Sequence, residues 1–410
     1  MKKLEKSTLV PNKIINISGS KSISNRLLVL NKLFGNIFLI NLSNSEDTQL
    51  IQKALDSEDE IIDIHHAGTA MRFLTSYFAI QVGRTTILTG SERMKQRPIA
   101  FLVNALRELG AEIQYLENEG FPPLKIIGKN IQKNKVEIPA NVSSQFITSL
   151  LLIAGKLENG LELSLIGEIT SKPYLNMTLR ILKNLNINVG QLGNTIKVFP
   201  FENSLIATKL KSYEIESDWS SASYYYSLAA LSRENINLTS FYSNSLQGDC
   251  ILKQMYWDYF GVNTISDEGE RKISLLPDNN FSFPKKIKIN MNDCPDIAQT
   301  FCVTAAVLKI PFYINGLATL KLKETDRLLA LHNELKKIGC ITEISEDSIK
   351  SIEFTQPDAE IIIKTYNDHR MAMSFAPYCL FQEIFIENEN VVEKSYINFW
   401  EDFEKVVTSK

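Results

Sequence analysis

The sequence predicts an α/β protein of two similar domains. Three observations carry this: a unit of apolar helix, short strand and amphipathic helix recurs six times, no low-complexity linker breaks the chain, and small polar residues precede the first helix of each copy. The 410 residues suffice for two or three domains with proper cores.

The copies follow in order. The first has "SISNRLLVLNKLF", "NIFLINL" and "DTQLIQKAL"; the second "GTAMRFLTSYFAI", "RTTILTG" and "RPIAFLVNALREL". The third has "SSQFITSLLLIAGKLE", "LELSLIG" and "KPYLNMTLRILKNL"; the fourth "SSASYYYSLAALS", "INLTSF" and "GDCILKQMYWDYF". The fifth has "PDIAQTFCVTAAVL", "FYINGL" and "ETDRLLALHNELKKI"; the sixth "DHRMAMSFAPYCLF", "EIFIEN" and "SYINFWEDFEKVV". Apolar residues at i, i+3, i+4 and i+7 predict the helices, and short β-branched runs predict the strands. First helices start near Ser22, Thr69, Ser143, Ser220, Asp296 and Asp368, in steps of 47, 74, 77, 76 and 72 residues. Gly110, Gly261 and Gly339 follow second helices, where a left-handed stop is expected. Six units divide most simply into three plus three, with the midpoint near "KSYEIESDWSS".

The polar residues at the helix starts are good N-caps, and capping is their plainest reading. Capping needs no cations, yet Lys21, Arg26, Arg72, Arg93, Arg97, Lys172, Lys323, Arg327, Arg370 and Lys394 lie near these starts. Helix N-termini attract anions, and guanidinium adds bidentate contacts to phosphate or carboxylate. If the six N-termini face one cleft, they form a pocket for a small, heavily anionic molecule. Within "LKLKETDRLLALHNELKKIG", Glu324 and Asp326 fit the first turn of a helix, so "ETDR" also reads as a capping motif. "TYNDHRMAMSF" sets Asp368, His369 and Arg370 at another helix start, too polar a cluster for core.

The net charge of −3 argues against a general affinity for nucleic acid. "GSKSISNR" lacks the glycine spacing of a P-loop, so a nucleotide is not implied. The five cysteines form no C-x-x-C pair and read as small buried hydrophobes. His65 and His66 lack ligand spacing, and no metal site is expected. No signal-peptide h-region or membrane-span run is seen, which predicts a soluble, cytoplasmic protein.

Eleven motifs closely resemble, in order, those of the enolpyruvylshikimate-phosphate synthase (shikimate-3-phosphate carboxyvinyltransferase) family: "GSKSISNR", "AGTAMRFL", "LTGSERMKQRPI", "VSSQFITSLLL", "SKPY", "SDWSSASYY", "NSLQGD", "MNDCPDIAQT", "KETDRL", "YNDHRMAMSF" and "EKSYINFW". The resemblance implies two domains, each of three βαβαββ-type units in an inside-out α/β barrel, with the active site in the interdomain cleft. By that analogy residues 1–19 with 217–410 form one domain and 20–216 the other. It implies transfer of the enolpyruvyl group of phosphoenolpyruvate to the 5-hydroxyl of shikimate-3-phosphate in aromatic amino acid biosynthesis, no metal or organic cofactor, a monomer, and glyphosate as a competitor.

Carried over motif by motif, Lys21, Gly68, Arg97, Gln145, Arg327, Arg370 and Lys394 would hold phosphoenolpyruvate. Lys21, Ser22, Arg26, Ser143, Ser144, Gln145, Ser171, Tyr174, Asp296, Thr319 and Lys323 would hold shikimate-3-phosphate. Asp296 is the candidate base, Lys21 and Glu324 are candidate proton donors, and His369 is a further catalytic candidate. Gly68 would let a backbone approach the small substrate. The chain departs from the common pattern at His66 (often Asn), Phe73 (often Pro), Thr319 (Asn in some members) and Ile397 (often Pro). Two rival readings are the related UDP-N-acetylglucosamine enolpyruvyltransferases, which use a loop cysteine that "SERMKQRP" lacks, and a non-catalytic phosphate- or RNA-end-binding protein.

Overall fold

The computed structural model describes residues 1–35, 37–201 and 211–409. The chain divides into two compact units, Met1–Ser20 with Glu216–Lys410, and Lys21–Ile215. These boundaries lie one residue from those drawn on the sequence.

One sheet plan recurs in both units: two parallel strands, then two antiparallel ones. In the Lys21–Ile215 unit, Ile61–Asp63 pairs parallel with Thr85–Thr89, which is followed by antiparallel Leu124–Ile127 and Glu112–Tyr115. Lys135–Pro139, Leu161–Ile166, Thr195–Val198 and Val189–Leu192 repeat the order. In the other unit it recurs in Ile14–Asn16, Ile236–Thr239, Lys272–Pro277 and Val262–Asp267. It recurs again in Ile287–Asn290, Phe312–Asn315, Ile349–Phe354 and Cys340–Ile344. A helix joins the parallel pair in three of these copies, as a parallel connection demands, while Ile14–Asn16 reaches Ile236–Thr239 through the whole Lys21–Ile215 unit and the helix Trp219–Ser232. These four copies are therefore complete βαβαββ units. The remaining copies are shorter: Ile37–Ile40 pairs with Lys211–Glu214, and Ile384–Ile386 lies between Ile361–Ile363 and Lys2–Leu4 and pairs with both.

The first helix of each copy is buried almost all round. Trp219–Ser232, Ala298–Val307 and His369–Phe375 form the core of one unit, and Lys21–Phe34, Gly68–Ala79 and Ser144–Ala154 that of the other. Buried hydroxyls join these inner helices. Thr300 Oγ1 is 3.1 Å from both Ser223 Oγ and Ser374 Oγ, and Ser76 Oγ is 2.6 Å from Ser149 Oγ. Small side chains let the helices approach closely, and the bonds keep their buried polar atoms satisfied. The second helices are amphipathic; Ala100–Leu109 buries Leu102, Val103, Ala105, Leu106 and Leu109. It stops at Gly110, whose φ of +111° is open to glycine and costly to residues with a Cβ.

The first helices begin within two residues of the starts read from the sequence. The helix at Ser220 begins at Trp219, capped by Asp218 accepting from Ser221 N. The "ETDR" helix runs from Arg327 to Lys337, so Glu324 and Asp326 are not in its first turn. Asp326 is the cap, accepting from Leu328 N and Leu329 N. Glu324 lies outside because its carboxylate is taken by two cations. No described helix is long and apolar enough to cross a membrane.

Candidate active site

In the unit holding both chain termini, the N-terminal ends of the inner helices converge. Asp296 sits on the 3-10 turn Pro295–Ile297 leading into Ala298–Val307. Arg370 is the second residue of His369–Phe375, and Ser220 the second of Trp219–Ser232. Arg370 Nη2 is 3.2 Å from Asp296 Oδ2 and 3.4 Å from Ser220 Oγ.

Arg327 is the hub of this cluster. Its side chain is 2% exposed, and its three nitrogens each take a different carboxylate: Nε donates to Asp368 at 2.6 Å, Nη1 to Asp296 at 3.1 Å, and Nη2 to Glu324 at 2.7 Å. A planar fork with donors on all sides suits this role, and lysine could not fill it. Burial alone would lower the pKa of Arg327, but Asp368 and Glu324 raise it further, so it stays charged. Asp368 also caps its own helix by accepting from Arg370 N at 2.9 Å.

Asp296 gathers three cations: Arg327, Arg370 and Lys323, whose Nζ is 3.3 Å from Oδ1. Burial pushes the carboxyl up, but Arg370, Lys323 and Arg327 outweigh it and hold it well below the usual range. Burial lowers the pKa of Lys323, and Asp296 only partly offsets this. The other oxygen of Glu324 takes Lys394 Nζ at 2.6 Å. Thus Asp296, Lys323, Glu324, Arg327, Arg370 and Lys394 form one charged cluster. Thr319 lies on the turn Ala318–Leu322 just before it, and its buried hydroxyl has no hydrogen-bond partner among the described residues. His369 is buried with Nδ1 3.8 Å from Asp368 Oδ1, a distance outside hydrogen-bond range.

The Lys21–Ile215 unit carries the other candidates. Lys21 opens its helix and pairs with Asp47, 3.1 Å away, at the start of Glu46–Asp56. Gly68 opens another inner helix, and a Cβ built on it would lie 2.5 Å from Arg97 Nη1. A side chain at this position would thus push aside a buried guanidinium of the protein itself. The sequence reading ascribed the glycine to substrate approach alone. Arg72 braces the same place, donating to Gly68 O at 3.1 Å and Pro98 O at 3.3 Å.

Gln145 Nε2 is 3.4 Å from Thr69 Oγ1, joining two helix starts, and Ser143 caps Ser144–Ala154 by accepting from Gln145 N. Ser171 holds φ +52° and ψ +43° before Lys172–Asn184. A left-handed serine costs roughly 1–2 kcal/mol, the kind of strain that gathers at working sites. Ser22 and Tyr174 are partly exposed in the same unit. Arg26 is turned inward: Nε donates to Thr178 Oγ1 at 2.8 Å and Nη1 to Ser22 O at 2.7 Å. Burial lowers its pKa to about 10, so it is charged at neutral pH.

Sequence reasoning missed Asp47 and Asp249. Asp47 stands at a predicted helix start, where an acidic residue reads as a cap. Asp249 lies in the quoted "NSLQGD", but nothing in that string shows that it meets Ser220.

The chain is similar to known proteins over most of its length. The sequence profile described as EPSP synthase (3-phosphoshikimate 1-carboxyvinyltransferase) matches residues 41–403. A 3-phosphoshikimate 1-carboxyvinyltransferase of Bacteroides fragilis (strain YCH46) is 46% identical over 397 residues, covering 95% of this chain and 94% of the relative. One from Haemophilus influenzae (strain ATCC 51907) is 35% identical over 439 residues, with 98% and 99% covered. The fold is also that of an EPSP synthase from Acinetobacter baumannii, at a TM-score of 0.72, 22% identity, and 99% and 98% coverage. Six repeated units, a carboxylate ringed by cations and a match across most of the chain lead to one conclusion: the protein belongs to the EPSP synthase (3-phosphoshikimate 1-carboxyvinyltransferase) family.

Proposed function

We infer that the protein transfers the enolpyruvyl group of phosphoenolpyruvate to the 5-hydroxyl of shikimate-3-phosphate and releases phosphate, a step in aromatic amino acid biosynthesis. The observation that carries this is Asp296 held by Lys323, Arg327 and Arg370, with Glu324 on Arg327 and Lys394. Both substrates bear a phosphate and a carboxylate, and both must be bound by cations.

The chemistry needs a base for the hydroxyl and an acid for C3 of phosphoenolpyruvate. The hydroxyl oxygen adds to C2 as C3 gains a proton; the tetrahedral adduct then loses phosphate, and C3 gives a proton back. With three cations around it Asp296 is ionised but weakly basic. A substrate carboxylate on Arg370 and a phosphate on Lys323 would draw off that charge and raise its basicity, so the base strengthens when both substrates are in place. Glu324 gains in the same way when an anion takes Lys394 or Arg327, which suits a group that must carry a proton. The cations then stabilise the departing phosphate.

The roles of the remaining candidates are part of this proposal. Lys21, Gly68, Arg97 and Gln145 would serve phosphoenolpyruvate together with Arg327, Arg370 and Lys394. Ser22, Ser143, Ser144, Ser171, Tyr174, Thr319 and Lys323 would serve shikimate-3-phosphate. Arg26 would act on that substrate through Ser22, whose carbonyl it holds. His369, buried at the same helix start as Arg370, would be a further catalytic residue. The two compact units are taken as the two enolpyruvyl-transferase-like domains, in a protein that works as a cytoplasmic monomer without nucleic acid.

Mixing the purified protein with both substrates should release inorganic phosphate only when both are present. No release across a range of pH and salt would overturn the reading.

A further inference from the structure

Asp249 is a buried carboxylate to which the mechanism above gives no part. It is 3% exposed, on the 3-10 turn Gly248–Ile251, and is hydrogen-bonded to Ser220 Oγ. Ser220 Oγ lies 3.4 Å from Arg370 Nη2, and the same nitrogen lies 3.2 Å from Asp296 Oδ2. One guanidinium nitrogen is therefore shared between a carboxylate that takes part in the chemistry and a hydroxyl that does not.

Burial raises the pKa of Asp249 to about 6, with the charge of Asp296 adding to the rise and Ser220 and Arg370 opposing it. At neutral pH the group is ionised and can only accept. Ser220 must then donate its hydroxyl proton to Asp249, which turns the oxygen lone pairs toward Arg370. The hydroxyl has one orientation, and Arg370 has a fixed rest.

We propose that Asp249 and Ser220 are positioning residues that hold the Arg370 guanidinium in place for a substrate carboxylate. This rests on the reading of Arg370 as a phosphoenolpyruvate ligand. When the carboxylate arrives and Asp296 leaves Arg370, Ser220 stays as a fixed contact of the side chain. With Ser220 behind it, the guanidinium exchanges one carboxylate for another and keeps its place. Asp296 is released toward the hydroxyl by the same exchange.

The test is steady-state kinetics with phosphoenolpyruvate varied at saturating shikimate-3-phosphate, and the reverse. Ser220→Ala and Asp249→Ala should each raise the KM for phosphoenolpyruvate by roughly 10- to 100-fold, the scale of one lost hydrogen bond to a charged group. The KM for shikimate-3-phosphate and kcat should change less, and Ser220→Thr should restore the wild-type KM. An unchanged KM for phosphoenolpyruvate in Ser220→Ala, or equal rises in both KM values that threonine does not rescue, would overturn the proposal. A second measurement needs no turnover: the Arg370 Nε–H resonance of the ligand-free protein, assigned with Arg370→Lys, should broaden in Ser220→Ala and sharpen again in Ser220→Thr. An identical resonance in Ser220→Ala and wild type would also overturn it. If the wild type releases no phosphate, the substrate reading of Arg370 fails, and this resonance still decides whether Ser220 holds the side chain.

Discussion

Arg327 Nε lies 2.6 Å from Asp368 Oδ2, and neither side chain is more than 2% exposed. The bond ties the helix Arg327–Lys337 to the cap of His369–Phe375, so the charged cluster is part of the fold. Arg327→Ala would leave Asp296, Glu324 and Asp368 without their shared cation. Removing one partner of a buried ion pair costs about 3–5 kcal/mol, and a loss on that scale should appear in urea denaturation together with loss of turnover. Arg327→Lys should recover part of the stability and little of the activity, because one ammonium cannot match three donors set in a plane.

Gly68→Ala places a methyl against Arg97 and forces the guanidinium aside. The KM for phosphoenolpyruvate should rise by about tenfold, the KM for shikimate-3-phosphate should hold within about twofold, and inhibition by glyphosate should weaken. Equal glyphosate inhibition of both forms would show that Arg97 yields at no cost.

Asp249 and Asp296 should pull stability in opposite directions with pH. The folded-state pKa of Asp249, about 6, is above its ordinary value of 3.8, so the folded protein holds this proton more tightly. Its contribution is favourable below about pH 4 and is lost as pH rises through 6; the difference is on the order of 3 kcal/mol at most. Asp249→Asn should therefore raise Tm at pH 8 and do little at pH 4. Asp296 is held below its ordinary value, so its contribution is present at neutral pH and fades as pH falls below 4. In a pH series of Tm values, Asp296→Asn should lower Tm at pH 7 more than at pH 3.

Thr300→Val removes the hydroxyl shared by Ser223 and Ser374 at nearly constant volume. The loss should be about 1–2 kcal/mol in denaturant unfolding, because two buried hydroxyls lose a partner. Both KM values should stay at wild-type levels, which separates the core of the unit from its charged end.

The repeat was legible because the inner helices are buried all round, so their apolar runs and small polar starts stand out along the chain. The cations at those starts were legible for the same reason. The start of the "ETDR" helix was misread by three residues: Glu324 has the composition of a first turn, but Arg327 and Lys394 draw it out while Asp326 takes the cap. The hub role of Arg327 was out of reach, since its three carboxylates come from Asp296, Glu324 and Asp368 in separate stretches of chain. Asp249 was missed because its meaning depends on Ser220, 29 residues away. Only the folded chain brings the two together.

The strand pairing has a consequence for synthesis on the ribosome. Lys2–Leu4 pairs with Ile384–Ile386, and Ser7–Leu9 with Val407–Ser409, so these strands wait for partners made far later. The Lys21–Ile215 unit is continuous and can fold while the rest is still being made, since domains fold as units during translation. The N-terminal strands meanwhile remain open edges, able to pair with the wrong neighbour. A chain stopped before its last strands would keep one finished unit and one that cannot close.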